Sequence, residues 1–165
     1  MTVQKSAADD FEQIVRVAQR LRDSLEDLQR AGQAASLKNF PCGCCADCSL
    51  LLGALLADLG CSGFTYICGE RGTHDDGTWT SHAWLQRGTL IVDITADQFV
   101  DGPASVIVAH NSEWHKTFRI EREQESADFR ASSGPGVGSL RPIYEAVCND
   151  VLRGPALPAK PDRRA

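Results

Sequence analysis

Between Ala8 and Arg30 the apolar positions Phe11, Ile14, Val15, Ala18, Leu21, Leu25 and Leu28 recur three and four residues apart, and Glu12, Arg16, Arg20, Arg22, Asp23 and Glu26 fill the other side. That period predicts an amphipathic helix with one face on a core. The stretch "AGQAASLKNFPCG" then breaks the pattern with Gly32, Pro41 and Gly43 and reads as a loop. A second helix is expected to start near Cys44 or Cys45, with Leu51, Leu52, Leu55, Leu56 and Leu59 as a wide apolar face and Gly60 as its C-terminal cap. After Gly60 the pattern changes to short runs rich in β-branched and aromatic residues: "GFTYICG", "SHAWLQ", "TLIVDIT", "SVIVAH" and "TFRIE". These predict one antiparallel sheet. The polar loop "ERGTHDDGTWT" between the first two runs is placed to be a rim or lid. A Ser/Gly/Pro-rich connection, "QESADFRASSGPGVGSL", leads to a last helix over "LRPIYEAVCNDVL". The expected fold class is α+β, with residues 1–152 as a single domain and 153–165 as a disordered, proline-rich tail.

The chain has 165 residues, enough for one domain with its own core. Its net charge of -5, with no concentrated basic face, excludes a nucleic-acid footprint. "SLLLGALLADLG", the most apolar run, is too short to span a bilayer, and the first residues carry no apolar signal region. A cytoplasmic protein without a membrane partner is therefore expected. In that reducing compartment seven cysteines, an odd number, read as thiols with chemistry or ligation rather than as a disulfide framework.

Four of those cysteines, Cys42, Cys44, Cys45 and Cys48, crowd the start of the second helix. A metal reading takes Cys45 and Cys48 as two ligands and His82 or His74 as others, but zinc sites usually use two well-separated ligand pairs. No metal and no cofactor is assigned. Cys42, Cys44, Cys48, Cys61, Cys68 and Cys148 read as small buried hydrophobes. A cysteine where a loop becomes a helix differs, because the helix N-terminus stabilises thiolate over thiol. Such a nucleophile needs a histidine to exchange protons and a third group to orient it. "SHAWLQRGTLIVDIT" supplies both. A hairpin turning symmetrically about Arg87 and Gly88 pairs Gln86 with Thr89 and Leu85 with Leu90, and it puts His82 directly opposite Asp93 on one face of the sheet.

At these residues the chain resembles the transglutaminase-like and papain-like superfamily of cysteine hydrolases, in which a helix-start cysteine packs against a sheet carrying His and Asp. More narrowly, "FPCGCCADCSLLLGALLADLG", "SHAWLQRGTLIVDITADQF" and "NSEWHKTF" are similar to a group of bacterial proteins with the pattern F-P-x-G-x-C-x-D-x-S-x-L-L, S-H-A-W-L and D-I-T-A-D-Q-F. The resemblance covers about residues 38–120 and puts the motif cysteine on Cys45, the histidine on His82 and the acid on Asp93. It implies a papain-like/transglutaminase-like core and a cysteine hydrolase (peptidase, amidase or protein-glutamine deamidase) forming a thioester acyl-enzyme from a peptide, protein or other amide or ester substrate. An acyltransferase or transglutaminase with the same triad is one alternative, and a noncatalytic zinc or redox module is another. The Cys45 backbone N–H is the expected oxyanion donor, with Gln98 and Asn39 as candidates for the second. Trp84 and Trp79 are candidates for the substrate wall, and Asp47 favours the helix N-terminus through its dipole. His110 and His115 have no evident partner and read as structural or surface groups.

Overall fold

The computed structural model describes residues 6–124, 126–131 and 137–154. Helices Ala7–Arg30 (α1), Cys45–Asp58 (α2) and Val137–Arg153 (α3) accompany a sheet of Thr65–Arg71 (β1), Thr80–Arg87 (β2), Leu90–Asp93 (β3), Ile107–His110 (β4) and Arg119–Gln124 (β5). The fold is mixed α+β. All neighbouring strands are antiparallel in the order β4-β3-β2-β1-β5, so the chain steps outward from β1 to β4 and then crosses to the far edge to lay β5 beside β1. The expected tail lies outside the described residues from 155 onward, as does part of the Ser/Gly/Pro-rich connection. Among the described residues no helix is long and apolar enough to cross a membrane.

Helix α1 starts at a capping box, in which the Ser6 hydroxyl accepts the Asp9 N–H and the Asp9 carboxylate accepts the Ser6 N–H. Its core face is Ile14, Val17, Ala18, Leu21 and Leu25. Val15, expected inside, is 37% exposed. Arg20 and Arg22, expected on the polar side, are buried. Their long side chains reach acceptors under the surface: Arg20 donates to the Val151 carbonyl, and Arg22 to the Ile94 carbonyl and the Asp97 carboxylate. Helix α2 begins at Cys45 and is buried over Leu51–Leu56. Gly60, at φ +73°, ends it in a Schellman arrangement, with the Cys61 N–H on the Leu56 carbonyl and the Gly60 N–H on that of Ala57. Helix α3 starts at Val137, upstream of the expected Leu140.

The β2–β3 register differs from the symmetric hairpin about Arg87 and Gly88. Arg87 pairs with Leu90 and Leu85 with Val92, so the turn residues are Gly88 and Thr89. Gly88 sits at φ +60°, and a two-residue turn that begins with a left-handed residue selects glycine for the first place, not the second. The shift is by an even number of residues and leaves every side chain on its expected face. His82 and Asp93 are consequently diagonal neighbours rather than directly opposed.

Strand β2 divides the interior. Ala83 and Leu85 join the large core formed with the helices. His82 and Trp84 alternate with them and lie among Ile67, Ile91 and Phe118, against which Phe99 and Trp114 also pack. The loop between β1 and β2 is held by internal contacts: Asp76 accepts from the Thr78 N–H and hydroxyl, and Trp79 stacks on His74 at 4.5 Å.

Candidate functional site

The start of α2 is built by successive turns. The N–H groups of Phe40, Cys42 and Cys44 donate to the carbonyls of Leu37, Asn39 and Pro41, and Gly43, at φ +72°, supplies the left-handed residue that swings the chain into the helix. Phe40 is buried under the Arg22 guanidinium, 4.7 Å from its ring centroid. Arg22 also forks onto Asp97 at 2.7 and 2.8 Å. One side chain of α1 therefore ties the turn preceding Cys45 to the turn that carries Gln98.

Three buried polar residues form the centre, with exposures of 0% for His82, 2% for Asp93 and 3% for His115. His82 Nε2 lies 2.6 Å from Asp93 Oδ2, and His115 Nε2 lies 3.0 Å from the same oxygen. Asp93 Oδ1 accepts the Thr95 N–H at 2.8 Å and its hydroxyl at 3.3 Å. Four donors thus surround one carboxylate. Burial alone would raise its pKa, but the hydrogen bonds from His115 and His82 hold it far below the usual carboxylate range. His82 feels the converse. Burial opposes its charge, yet hydrogen bonds to Asp93 and to Cys45 lift the ring to about 9.

With Nε2 committed to Asp93, Nδ1 is the nitrogen left for the Cys45 thiol and for Gln98, whose Nε2 lies 3.3 Å away. Gln98 also donates to the Thr95 carbonyl at 3.0 Å and accepts the Gly43 N–H at 3.3 Å, bracing the Cys45 loop against the His82 ring. Phe99 and Trp114 meet that ring edge-on at 5.1 and 5.4 Å. Over them lies Arg71, which spans Phe99, Trp114 and Phe118 and forks onto Asp101 at 2.7 and 2.6 Å, while the Trp114 indole N–H donates to the same carboxylate.

The other expected residues divide. Trp84 is fully buried, stacked near His82 and edge-on to His115, so it is a floor beneath the histidines rather than an exposed wall. Trp79 stays in the β1–β2 loop on His74. Asn39 is exposed, with its carbonyl on the Cys42 N–H. Asp47 is half-buried, and burial raises its pKa. His110 meets the Thr89 hydroxyl at 2.9 Å. His115 was expected to lack a partner and instead shares Asp93 with His82. Its segment, between β4 and β5, has no regular period, so spacing could not reveal that contact.

The cysteines also separate. Cys44, Cys48 and Cys61 are buried as expected, Cys68 and Cys148 are half-buried, and Cys42, expected inside, is exposed. Burial pushes Cys44 up to about 11, lifts Cys48 well above an ordinary thiol and raises Cys68. Among the described residues the one converging set of three metal-ligand types is His82, Asp93 and His115, not the cysteine cluster. Both ring nitrogens stand at hydrogen-bonding distance from the carboxylate oxygen itself. An ion held by all three would need to sit between them at about 2.0–2.2 Å from each. The arrangement fits a shared anion better than a coordinated cation.

No protein-family model, curated protein or solved structure matches the chain.

Proposed function

We propose that the protein is a cysteine-dependent hydrolase of amide or ester bonds, in which Cys45 is the nucleophile, His82 the acid and base, and Asp93 the carboxylate that orients His82. The observation that carries this reading is the His82 ring itself, bound through Nε2 to a buried anion and, against the effect of burial, lifted in pKa by that anion and by the Cys45 thiol at the helix start. In the proposed reaction the Cys45 sulfur attacks the substrate carbonyl carbon. The tetrahedral oxyanion faces the N–H groups of the first turn of α2, which lack acceptors within the helix. The His82 ring gives its proton to the leaving amine or alcohol as that bond breaks, leaving a thioester on Cys45. Water then attacks the thioester, its proton passes to His82, and the carboxylic acid leaves with the thiolate restored.

Asp93 is suited to hold one imidazole orientation and to stabilise the charged ring without taking its proton, since its carboxyl stays ionised far below neutral pH. Gln98, one of two candidates for the second oxyanion donor or an orienting role, is proposed as a brace, because its amide is directed at Thr95 and His82. A papain-like or transglutaminase-like active centre accounts for this combination of helix-start thiol and sheet-borne His and Asp.

The test is covalent capture. A panel of peptidyl and simple acyl probes carrying electrophilic traps should modify Cys45, as read by peptide mass spectrometry, and Cys45→Ala should abolish capture while leaving the fold intact. Capture that persists in Cys45→Ala, or that falls on Cys42 alone, contradicts the assignment.

A further inference from the structure

Catalysis of this kind needs one histidine on its carboxylate, and the protein has two. The second is built with as much care as the first. His115 is buried, its Nε2 lies 3.0 Å from Asp93 Oδ2, and its Nδ1 lies 2.7 Å from the Ser112 hydroxyl oxygen. The Ser112 oxygen also accepts the His115 backbone N–H at 3.4 Å, which leaves the hydroxyl hydrogen free to point at Nδ1. A serine donating to Nδ1 favours the tautomer with its proton on Nε2, and that proton is the one Asp93 receives. Trp84 and Trp114 each meet the ring at 4.9 Å, so it has little freedom to rotate away.

We infer that His115 is a positioning residue for the proposed reaction: it acts through Asp93 on His82, and Ser112 sets its tautomer. This rests on the reading of Cys45, His82 and Asp93 as the reacting centre. The physical reason lies in how the carboxylate is shared. Thr95 fixes only Oδ1, whereas Oδ2 is the atom that holds His82. A second N–H on Oδ2 fixes that atom as well, and it offsets the cost of keeping an anion in a dry site. Without it the Asp93 charge is one donor short, and the His82 ring rests on a looser support. The chain of contacts runs Ser112, His115, Asp93, His82, Cys45. It begins beside a groove of about 350 Å³ that Ser112, His115 and Trp84 help to line.

The test compares variants that keep the ring's volume and differ in the donor. Gln at 115 can present an amide N–H where Nε2 stands, and Leu cannot. The quantity read is the rate of Cys45 alkylation by iodoacetamide relative to that of exposed Cys42 in the same sample, with melting temperature measured alongside. His115→Leu should lower the Cys45 rate about tenfold, the scale of one lost hydrogen bond to a charged group. His115→Gln should restore most of it, even where both variants melt at the same lowered temperature. Ser112→Ala, which leaves the ring in place, should lower the rate by a smaller factor, and it carries the test if His115→Leu fails to fold. Equal Cys45 rates in the Leu and Gln variants, or an unmoved rate in Ser112→Ala, overturn the inference and make His115 a packing residue. His82→Ala in the same series separates the two claims. If it leaves the Cys45 rate unchanged, the reading of the reacting centre fails, and this inference fails with it. If His82→Ala slows Cys45 and the donor at 115 makes no difference, only the inference falls.

Discussion

The two faces of the sheet are buried to a similar depth and for different reasons. On the helical face Ala83, Leu85, Leu90 and Val92 meet the leucines of α2 and the core stripe of α1, and what holds them is area removed from water. On the other face His82, Asp93 and His115 are as deeply buried as any leucine, and area explains nothing there, since each would cost several kcal/mol, roughly, if left without a partner. What holds them is mutual satisfaction of hydrogen bonds, with Trp84 as a floor and Trp114, Phe99 and Phe118 packed around the His82 ring. The first face should tolerate a loss of volume at the expense of stability alone. The second should lose chemistry first.

The sharpest break in that comparison is Asp93→Asn. Its amide keeps the shape of the carboxylate but offers His82 no anion, and it can present an N–H to a ring nitrogen that is itself a donor. In serine enzymes the corresponding change costs about ten-thousandfold in rate, roughly 5 kcal/mol of transition-state stabilisation. Turnover of a captured substrate should therefore collapse while the melting temperature moves far less. A folded, fully reactive Asp93→Asn would show that this acid is structural.

The matching substitution on the helical face is Leu55→Ala. Leu55 is completely buried in α2, and the cavity should cost about 2–5 kcal/mol in unfolding free energy. Chemical denaturation measures this. The Cys45 alkylation rate of the folded fraction should stay at the wild-type value, and a parallel fall in that rate would mean that the two faces are not separable.

These contrasts follow a line along which the sequence was and was not legible. Regular periods disclosed the helices, the five strands and the alternation that puts His82 and Trp84 on one side of β2. They also disclosed a His and an Asp on one face, and this survived an incorrect turn because the register moved by an even number of residues. Period could not disclose which charged side chains bend inward. Arg22 looked like a surface residue because its partners, Ile94 and Asp97, lie in irregular backbone far along the chain. The same holds for His115, brought to Asp93 by the turns between β4 and β5. Val15 and Val17 show a smaller version of the limit, since an apolar stripe is wide enough to misplace one residue at its border.

A subtler difference between the faces lies in pH. On the helical face burial pushes the groups that could titrate, Cys44, Cys48 and Tyr66, upward and away from neutral pH, whereas His82 is lifted to about 9 from an unfolded value near 6.5. A group with a raised folded pKa contributes stability that is complete below its unfolded pKa and is lost as pH rises through the folded one. Unfolding free energy should therefore decline between about pH 6.5 and 9, by up to roughly 3 kcal/mol from this residue. Asp93 has the opposite sign. Its contribution is present above the ordinary carboxylate range and is lost only in strongly acidic solution. Denaturation midpoints across pH for wild type and His82→Gln would resolve the alkaline decline, which should be much shallower in the variant. Parallel curves would mean that His82 is not the group responsible.

The proposed chemistry depends on the Cys45 thiol acting together with the His82 ring, and one ratio measures that partnership. Near neutral pH, under a limiting dose of iodoacetamide, Cys45 should be alkylated well ahead of Cys42 in the wild type, although Cys42 is the more exposed of the two. The raised pKa values of Cys44, Cys48 and Cys68 should keep those three behind. In His82→Ala the Cys45 rate should fall sharply while the Cys42 rate does not move, because only Cys45 loses an imidazolium partner. A folded His82→Ala protein in which both rates match the wild type would contradict the account.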